Sequence, residues 1–462
     1  MIRSRSVRDS YVFKPRSCQR ANVKPVGNQP SSESAATSAA KVSGKSRSGA
    51  RTKPRPKHDL VLFGATGFTG NLVADYLARN APPKTRIALA GRNRDKLATV
   101  RSGLSGPSHD WPLLVADAQD PDSLAPLAAA SKAIISTVGP YNKYGVELVA
   151  ACAQAGTHYA DLTGEVLFMR RSIDQFDDLA QSTGARIVHS CGFDSIPSDL
   201  GVLALHLRAK DSDGKGHLTD THFLVRKARG GFSGGTVASG MNEIEIARGT
   251  KGARKLLADP YSLSPDRSAE PTPGDPKDSL KVRYDEVAGS WVGPFLMASI
   301  NTRVVRRSNA LLHYAYGHGF RYDEGSAFGP GLTGRLGATA MAGGIAAIGG
   351  AMQSEAGRKL ASRFLPAPGE GPDERTRQNG MFSITIHTRT PAGVRFQATV
   401  AADGDPGYVA TSMMLGRAGL VLAGDQRRLP RRAGVLTPAT GMGLRLIEEL
   451  KAAGMTITTR EI

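Results

Sequence analysis

Three glycines at regular spacing carry the first chemical signal in this chain. Gly64, Gly67 and Gly70 lie in the run GATGFTG, directly after the apolar run DLVLF (59–63) and at the mouth of an amphipathic stretch over 68–79. Gly64 permits a tight turn, Gly67 lets a ligand approach the backbone, and Gly70 lets the following helix sit close to the strand. The amides of Thr66, Gly67, Phe68 and Thr69 then point outward with the positive end of a helix dipole behind them, which is the chemistry of a diphosphate grip. The middle glycine stands one place later than in the GxGxxG form. It is therefore the setting, strand before and helix after, that favours dinucleotide binding over a plain Gly-rich turn.

The end of the second strand separates the two nicotinamide dinucleotides. An NAD site places an acid there for the ribose hydroxyls, yet no acid occurs between Asp75 and Asp95. The chain has AGRNR instead, with Arg92 and Arg94 where a 2′-phosphate would lie, and a guanidinium fork matches that group in shape and charge. Two solvated arginines opening a helix are the plain alternative, but the dipole disfavours Arg at a helix N-terminus. The cofactor expected is NADP(H). Asp117, after the third strand, is placed for the adenine amino group or, equally, for capping a helix.

Ligands of open α/β sheets sit beyond the carboxyl ends of the strands, so the loops there matter most. STVGPY places Gly139 and Pro140 near a nicotinamide ribose, with Tyr141 following; HYADLTGE (158–165) contains Tyr159; CGFDSIPSD (191–199) comes next. Asp194, Ser195 and Ser198 in the last loop are natural N-cap residues, and Pro197 suits a first helical turn. GGFSGGT (230–236) offers Ser233 and the amides of Gly234 and Gly235 as donors to a developing oxyanion. Tyr141, Tyr159 and Ser233 are the candidate catalytic residues, Tyr141 as a further donor to that oxyanion and Tyr141 or Tyr159 as the proton source. The absence of any YxxxK pair argues against the Tyr-Lys relay of short-chain dehydrogenases.

The elements that must position these groups follow a βαβ rhythm. Strands are predicted at 59–63, 86–90, 112–116, 133–138, 158–162 and 185–190, with helices at 68–79, 94–103, 122–130, 144–155, 166–182 and 198–209. The fold class is α/β: a Rossmann-type doubly wound parallel sheet over 58–209, followed by a second α+β domain over 210–462. Strand-like runs at 220–228, 381–389 and 394–402 give that domain a mixed or antiparallel sheet, the last two joined as a hairpin across Pro391, Ala392 and Gly393. TPATGMGLRLIEELKAAG predicts a helix over 439–453, stopped by Gly454, that could pack back on the first domain.

Charge and composition exclude other classes. Residues 1–57 hold fourteen Lys and Arg against Asp9 and Glu33, so +12 of the +19 net charge sits in that arm. The remainder has the balance of an enzyme with anionic ligands, and with aromatic residues at 6% and no helix-turn-helix, zinc or OB signature, nucleic acid is not an expected partner. The arm reads as a disordered tail, as an Arg/Ser-rich organelle-targeting segment, or as a start assigned too far upstream. Cys18, Cys152 and Cys191 have no CxxC spacing, so neither a metal nor a disulfide is expected, and the compartment is cytosol-like. Residues 336–354 carry no charge, but their Gly and Ala content favours a buried or interface-lying helix over a membrane span, leaving a peripheral membrane contact open.

Taken in order, GATGFTG, LAGR, TVGPY, YADLTGE, CGFDSIPSD, GGFSGGT, DGDPGY and GVLTPATGMG resemble the saccharopine dehydrogenase-like oxidoreductases, most nearly the trans-acting enoyl reductases of mycobacteria. The resemblance runs from residue 58 to the end. It implies an NADP(H)-dependent reductase that acts in trans on an acyl chain carried by a polyketide synthase, in making phthiocerol-type and phenolic glycolipids. Two rival readings keep the same cofactor site: an imine or ketone reductase, and a non-catalytic NADP-binding scaffold at a lipid surface.

Overall fold

A computed structural model describes residues 56–230, 234–271, 280–351, 357 and 371–462. The first half alternates strand and helix: β1 (His58–Phe63), α1 (Phe68–Asn80), β2 (Ile87–Gly91), α2 (Arg94–Ser102), β3 (Leu113–Val115), α3 (Pro121–Ala129), β4 (Ser131–Ser136), the short α4 (Tyr141–Tyr144), α5 (Val146–Ala155), β5 (His158–Asp161), α6 (Val166–Thr183), β6 (Arg186–Val188) and α7 (Ile196–Asp213). Its strands pair in parallel in the order β6-β5-β4-β1-β2-β3. The order reverses beside β1, which is where a doubly wound sheet opens its ligand crevice.

Both faces of this sheet are covered, and β1 shows why its last four residues, Leu60 to Phe63, are all apolar. Leu60 and Leu62 enter a core shared with α1, α7 and the second sheet, while Val61 and Phe63 enter a core shared with α3, α5 and α6.

The second half contains β7 (Asp220–Arg229), α8 (Gly234–Gly249), α9 (Lys251–Ala258), β8 (Arg283–Asp285), β9 (Ser290–Pro294), α10 (Ala298–Leu311), β10 (Arg321–Ala327), α11 (Gly331–Ala351), α12 (Glu374–Gln378), β11 (Met381–Arg389), β12 (Arg395–Asp403), α13 (Thr411–Ala423), β13 (Gly434–Leu436), α14 (Pro438–Gly441), α15 (Gly443–Ala452) and β14 (Thr456–Glu461). The second sheet runs β14-β12-β11-β7-β10-β9-β8 and is mixed, with β7 and β10 parallel. β11 and β12 form the hairpin the sequence predicts, and alternate side chains, Phe382, Ile384 and Ile386 with Phe396, Ala398 and Val400, turn into the core.

The two sheets are not separable by a cut near residue 209. That position lies inside α7, whose Leu200, Val202 and Leu205 pack in the core that both sheets share. The chain also returns: β13 pairs with β6 and makes the first sheet seven-stranded, one more than the six read from sequence. The helix predicted over 439–453 is two helices, α14 and α15, interrupted at Met442, where Gly443 takes φ +54°. Among the described residues no helix is long and apolar enough to cross a membrane.

Candidate functional site

The turn between β1 and α1 is built from its glycines. Gly64 has φ +90°, and a Cβ there would lie 2.6 Å from Val138 Cγ2 and 2.8 Å from Thr137 Oγ1. A Cβ on Gly70 would run into the Gly64 carbonyl oxygen. Gly67 is different: a Cβ would meet only Gly64 O, at 3.5 Å, so no protein atom forbids a side chain there and the glycine leaves an open approach to the first turn. α1 has neither a side-chain cap nor an acid in its first turn. The Gly67 amide, expected to face a ligand, is instead spent on Gly64 O at 3.0 Å, so it is the first amides of the helix itself, which it cannot satisfy internally, that are left for an anion. Thr66 is exposed, Phe68 and Thr69 are half-buried, and Phe68 packs edge-on against Tyr408 at 4.8 Å.

The neighbouring strand ends stand beside this turn. Thr66 Oγ1 lies 4.0 Å from where a Gly91 Cβ would stand, so the turn abuts the end of β2. Arg92 and Arg94 beyond it are exposed and have no hydrogen bond or ion pair among the described residues. Asn93 between them caps α2 by accepting from Lys96 N at 2.9 Å, which holds the pair at the strand end. Asp117, at the end of β3, accepts from Gln119 N through one carboxylate oxygen at 3.0 Å. On the other side, Thr137 N donates to Phe63 O and Thr137 Oγ1 to Gly64 O, pinning the Gly139-Pro140 loop, which has a cis peptide, beside the turn.

The loops after β4 and β5 are held by buried carboxylates. Glu165, 1% exposed, accepts from Tyr141 N at 2.7 Å, from Asn142 N at 2.8 Å and from Ser239 Oγ of α8 at 2.6 Å. Glu243, one turn further along α8, accepts from Leu167 N at 2.8 Å and so caps α6. Burial pushes Glu243 up to about 7, with the neighbouring Glu165 adding to it, and burial likewise raises Glu165. α8 is thus tied across the β4 and β5 loops. Asp161 accepts from Thr163 N and Ser190 N and pairs with His189 Nδ1 at 2.7 Å, while His189 Nε2 meets Ser172 Oγ at 2.8 Å. All three side chains of that relay are buried, so it fixes the β5 and β6 loops against each other rather than facing a crevice.

The two tyrosines expected as proton sources require correction. Tyr141 is buried, and its hydroxyl donates to Ser136 O at 3.1 Å and accepts from Leu162 N at 3.3 Å. Burial and then Asp161 push it well above the usual tyrosine value. Tyr159, wholly enclosed within β5, packs beside His189 and does not open on any crevice. Their aromatic bodies serve the core. Ser233 lies outside the described residues; the backbone of Gly234 and Gly235 begins α8.

The group that sequence reasoning passed over is Asp194. Its carboxyl is half-buried near Gly164, whose Cβ position lies 3.7 Å from Asp194 Oδ2 and 3.1 Å from Ile300 of α10. It has no hydrogen bond among the described residues, and it does not cap α7; Ser195 holds the N-cap position and bonds Asn301 instead. Burial pushes its pKa up to about 6. An uncommitted acid with that pKa can give a proton near neutrality. In sequence it reads as one more cap residue, and the sole hint is its place in a loop at the carboxyl edge.

Residues 60–188 match the family described as the saccharopine dehydrogenase NADP binding domain, a span running from β1 to β6. The chain is 49% identical over 420 residues to a "Putative trans-acting enoyl reductase" of Mycobacterium tuberculosis, covering 87% of this chain and 98% of that protein. It is 44% identical over 412 residues to a trans-acting enoyl reductase of Mycobacterium bovis, with the same coverages. In fold it is similar to saccharopine dehydrogenase (L-Glu forming) of Saccharomyces cerevisiae, with a TM-score of 0.51 at 12% identity, covering 87% of this chain and 99% of that one.

Proposed function

The chain belongs to the family of the trans-acting enoyl reductases, within the saccharopine dehydrogenase-like NADP-binding proteins, and on that premise we propose that it reduces the double bond of an α,β-unsaturated acyl thioester. NADPH, when bound, supplies the hydride that adds to the β-carbon. The turn from Gly64 to Gly70 would hold the diphosphate, Arg92 and Arg94 the 2′-phosphate, Asp117 the adenine, and Gly139 and Pro140 the nicotinamide ribose. The enolate left on the substrate needs a donor at its oxygen and a proton at its α-carbon. The first amides of α8, at Gly234 and Gly235, are the donors in this reading, and the Asp194 carboxyl gives the proton. The acyl chain would be held by a polyketide synthase and be of the phthiocerol or phenolic glycolipid type.

What supports this reading is the meeting, at one end of the first sheet, of a diphosphate turn, two guanidinium groups without acid partners among the described residues, and a lone carboxyl able to release a proton. The test offers purified protein NADPH with enoyl groups on coenzyme A and on a carrier protein, and separately with a keto acid plus an amine, while NADPH absorbance is followed. Oxidation with the enoyl thioesters, faster on the carrier, is the expected result. Oxidation only with keto acid plus amine, or none with any enoyl thioester, removes the proposal.

Cofactor choice gives an independent check. Arg92→Ala should weaken NADPH by about 10- to 100-fold, since a hydrogen bond to a charged group is worth about 1.5–3 kcal/mol. NADH affinity and thermal stability should not move, because the Arg92 side chain is exposed and bonds nothing else described. Fluorescence titrations with both cofactors read this directly; equal NADPH affinity in the variant would show that the 2′-phosphate lies elsewhere.

A further inference from the structure

α11 is exposed in a way a protein-facing helix is not. Along Gly331–Ala351 only Gly334 and Ala338 are buried, where small residues let the helix approach β9; a Cβ on Gly293 of β9 would lie 3.0 Å from Ala338 O. Beyond that contact the helix continues through Ala351 with no charged side chain after Arg335. Leu332, Leu336, Met341 and Ile348 stand 70%, 61%, 41% and 58% exposed. At about 100° per residue, Leu332 and Leu336 lie about 40° apart, while Met341 and Ile348 lie roughly on the opposite side of the helix. Large apolar groups therefore point outward on both sides, and a single protein surface laid against the helix would cover one side only.

The base of the helix carries a different chemistry. Arg335 lies over the Trp291 ring at 5.3 Å, and Trp291 meets Tyr284 edge-on at 5.5 Å. Tyr284 and the nearby Val287 of the β8–β9 hairpin are exposed. Trp and Tyr gather where hydrocarbon gives way to lipid headgroups, and an Arg at that depth keeps its apolar stem in lipid and its charge in the headgroup layer. The uncharged stretch 336–351 would be roughly 24 Å long as a helix, short of the roughly 30 Å hydrocarbon core.

We infer that α11 is a membrane-docking helix that dips into a lipid bilayer from the side of Arg335, Trp291 and Tyr284 without crossing it. The occupant of this face is lipid and not a second copy of the chain, because it must cover opposite sides of one helix. The inference is independent of the reductase reading, since none of these residues belongs to the proposed cofactor site.

The test uses the full chain with phosphatidylcholine vesicles. These carry no net charge, so the basic residues 1–57 do not drive adsorption by charge alone. The protein should float with the vesicles, and Met341→Glu with Ile348→Glu should cut the bound fraction at least tenfold while NADPH titration is unchanged. In a Trp111→Phe background, which leaves Trp291 as the sole tryptophan, brominated lipid should quench the remaining emission; this reading needs no charge insertion in α11. Failure of the parent chain to float, flotation unaffected by the double substitution, or emission untouched by brominated lipid overturns the inference. So does a dimer in solution that the double substitution splits and that never binds vesicles, which would assign the face to a second copy.

Discussion

Asp194→Asn is expected to lower kcat by about 10²–10⁴-fold while leaving NADPH affinity as it was, the usual range for removing a positioned acid. The substitution keeps shape and volume and deletes only the acidic proton. It breaks no hydrogen bond among the described residues, so stability should hold. The pH profile adds a readout that a structural role would not move. Burial raises the Asp194 pKa to about 6, and the group must be protonated to act. The rate in the parent should therefore fall as pH rises through about 6, and the Asn variant should lose that limb. A variant with full turnover, or one keeping the limb, returns the proton to another group.

The second large effect separates two glycines only three residues apart. Gly67→Ala adds a methyl that meets no protein atom closer than 3.5 Å, at a residue with φ −76° and ψ 164°, which Ala adopts freely. Stability should be unchanged, but the methyl stands where a diphosphate must approach. With two charge-assisted hydrogen bonds displaced, NADPH affinity should fall by about 100-fold or more. Gly70→Ala drives its methyl into the Gly64 carbonyl, so the turn or the helix must move and about 1–3 kcal/mol of stability should go with the binding. Thermal melts beside NADPH titrations for both variants read the contrast. Tight NADPH binding by Gly67→Ala would show that the turn does not grip the cofactor.

The signals read for the cofactor half of the site are local. A glycine turn between strand and helix, and arginines where an acid is otherwise needed, are each written in fewer than eight consecutive residues. The strands around them lie within two residues of their predicted ends, since each carries a run of apolar residues, Leu60 to Phe63 in β1, Ile87 to Ala90 in β2 and Ala133 to Ile135 in β4. The reacting half was not legible because burial decides it. Tyr141 and Tyr159 have the right chemistry and sit in the right loop and strand, yet α5 and α6 pack over them, and no spacing reveals that. Asp194 and Ser195 are alike as cap residues, and only the α10 contact from Asn301 to Ser195 leaves Asp194 the unused one. β13 was missed for a different reason. Three apolar residues carry no period, and their partner β6 lies some 250 residues upstream.

Hydride transfer from NADPH to the β-carbon is read directly by isotope labelling. NADPH carrying deuterium at its transferable position is mixed with the protein and a carrier-linked enoyl thioester, and the product acyl chain is weighed and its label located. One deuterium is expected at the β-carbon when the reaction is run in ordinary water, and one at the α-carbon when unlabelled NADPH is used in heavy water. A saturated product with no label from NADPH, or label found only on a carbon that was bonded to nitrogen, would contradict it.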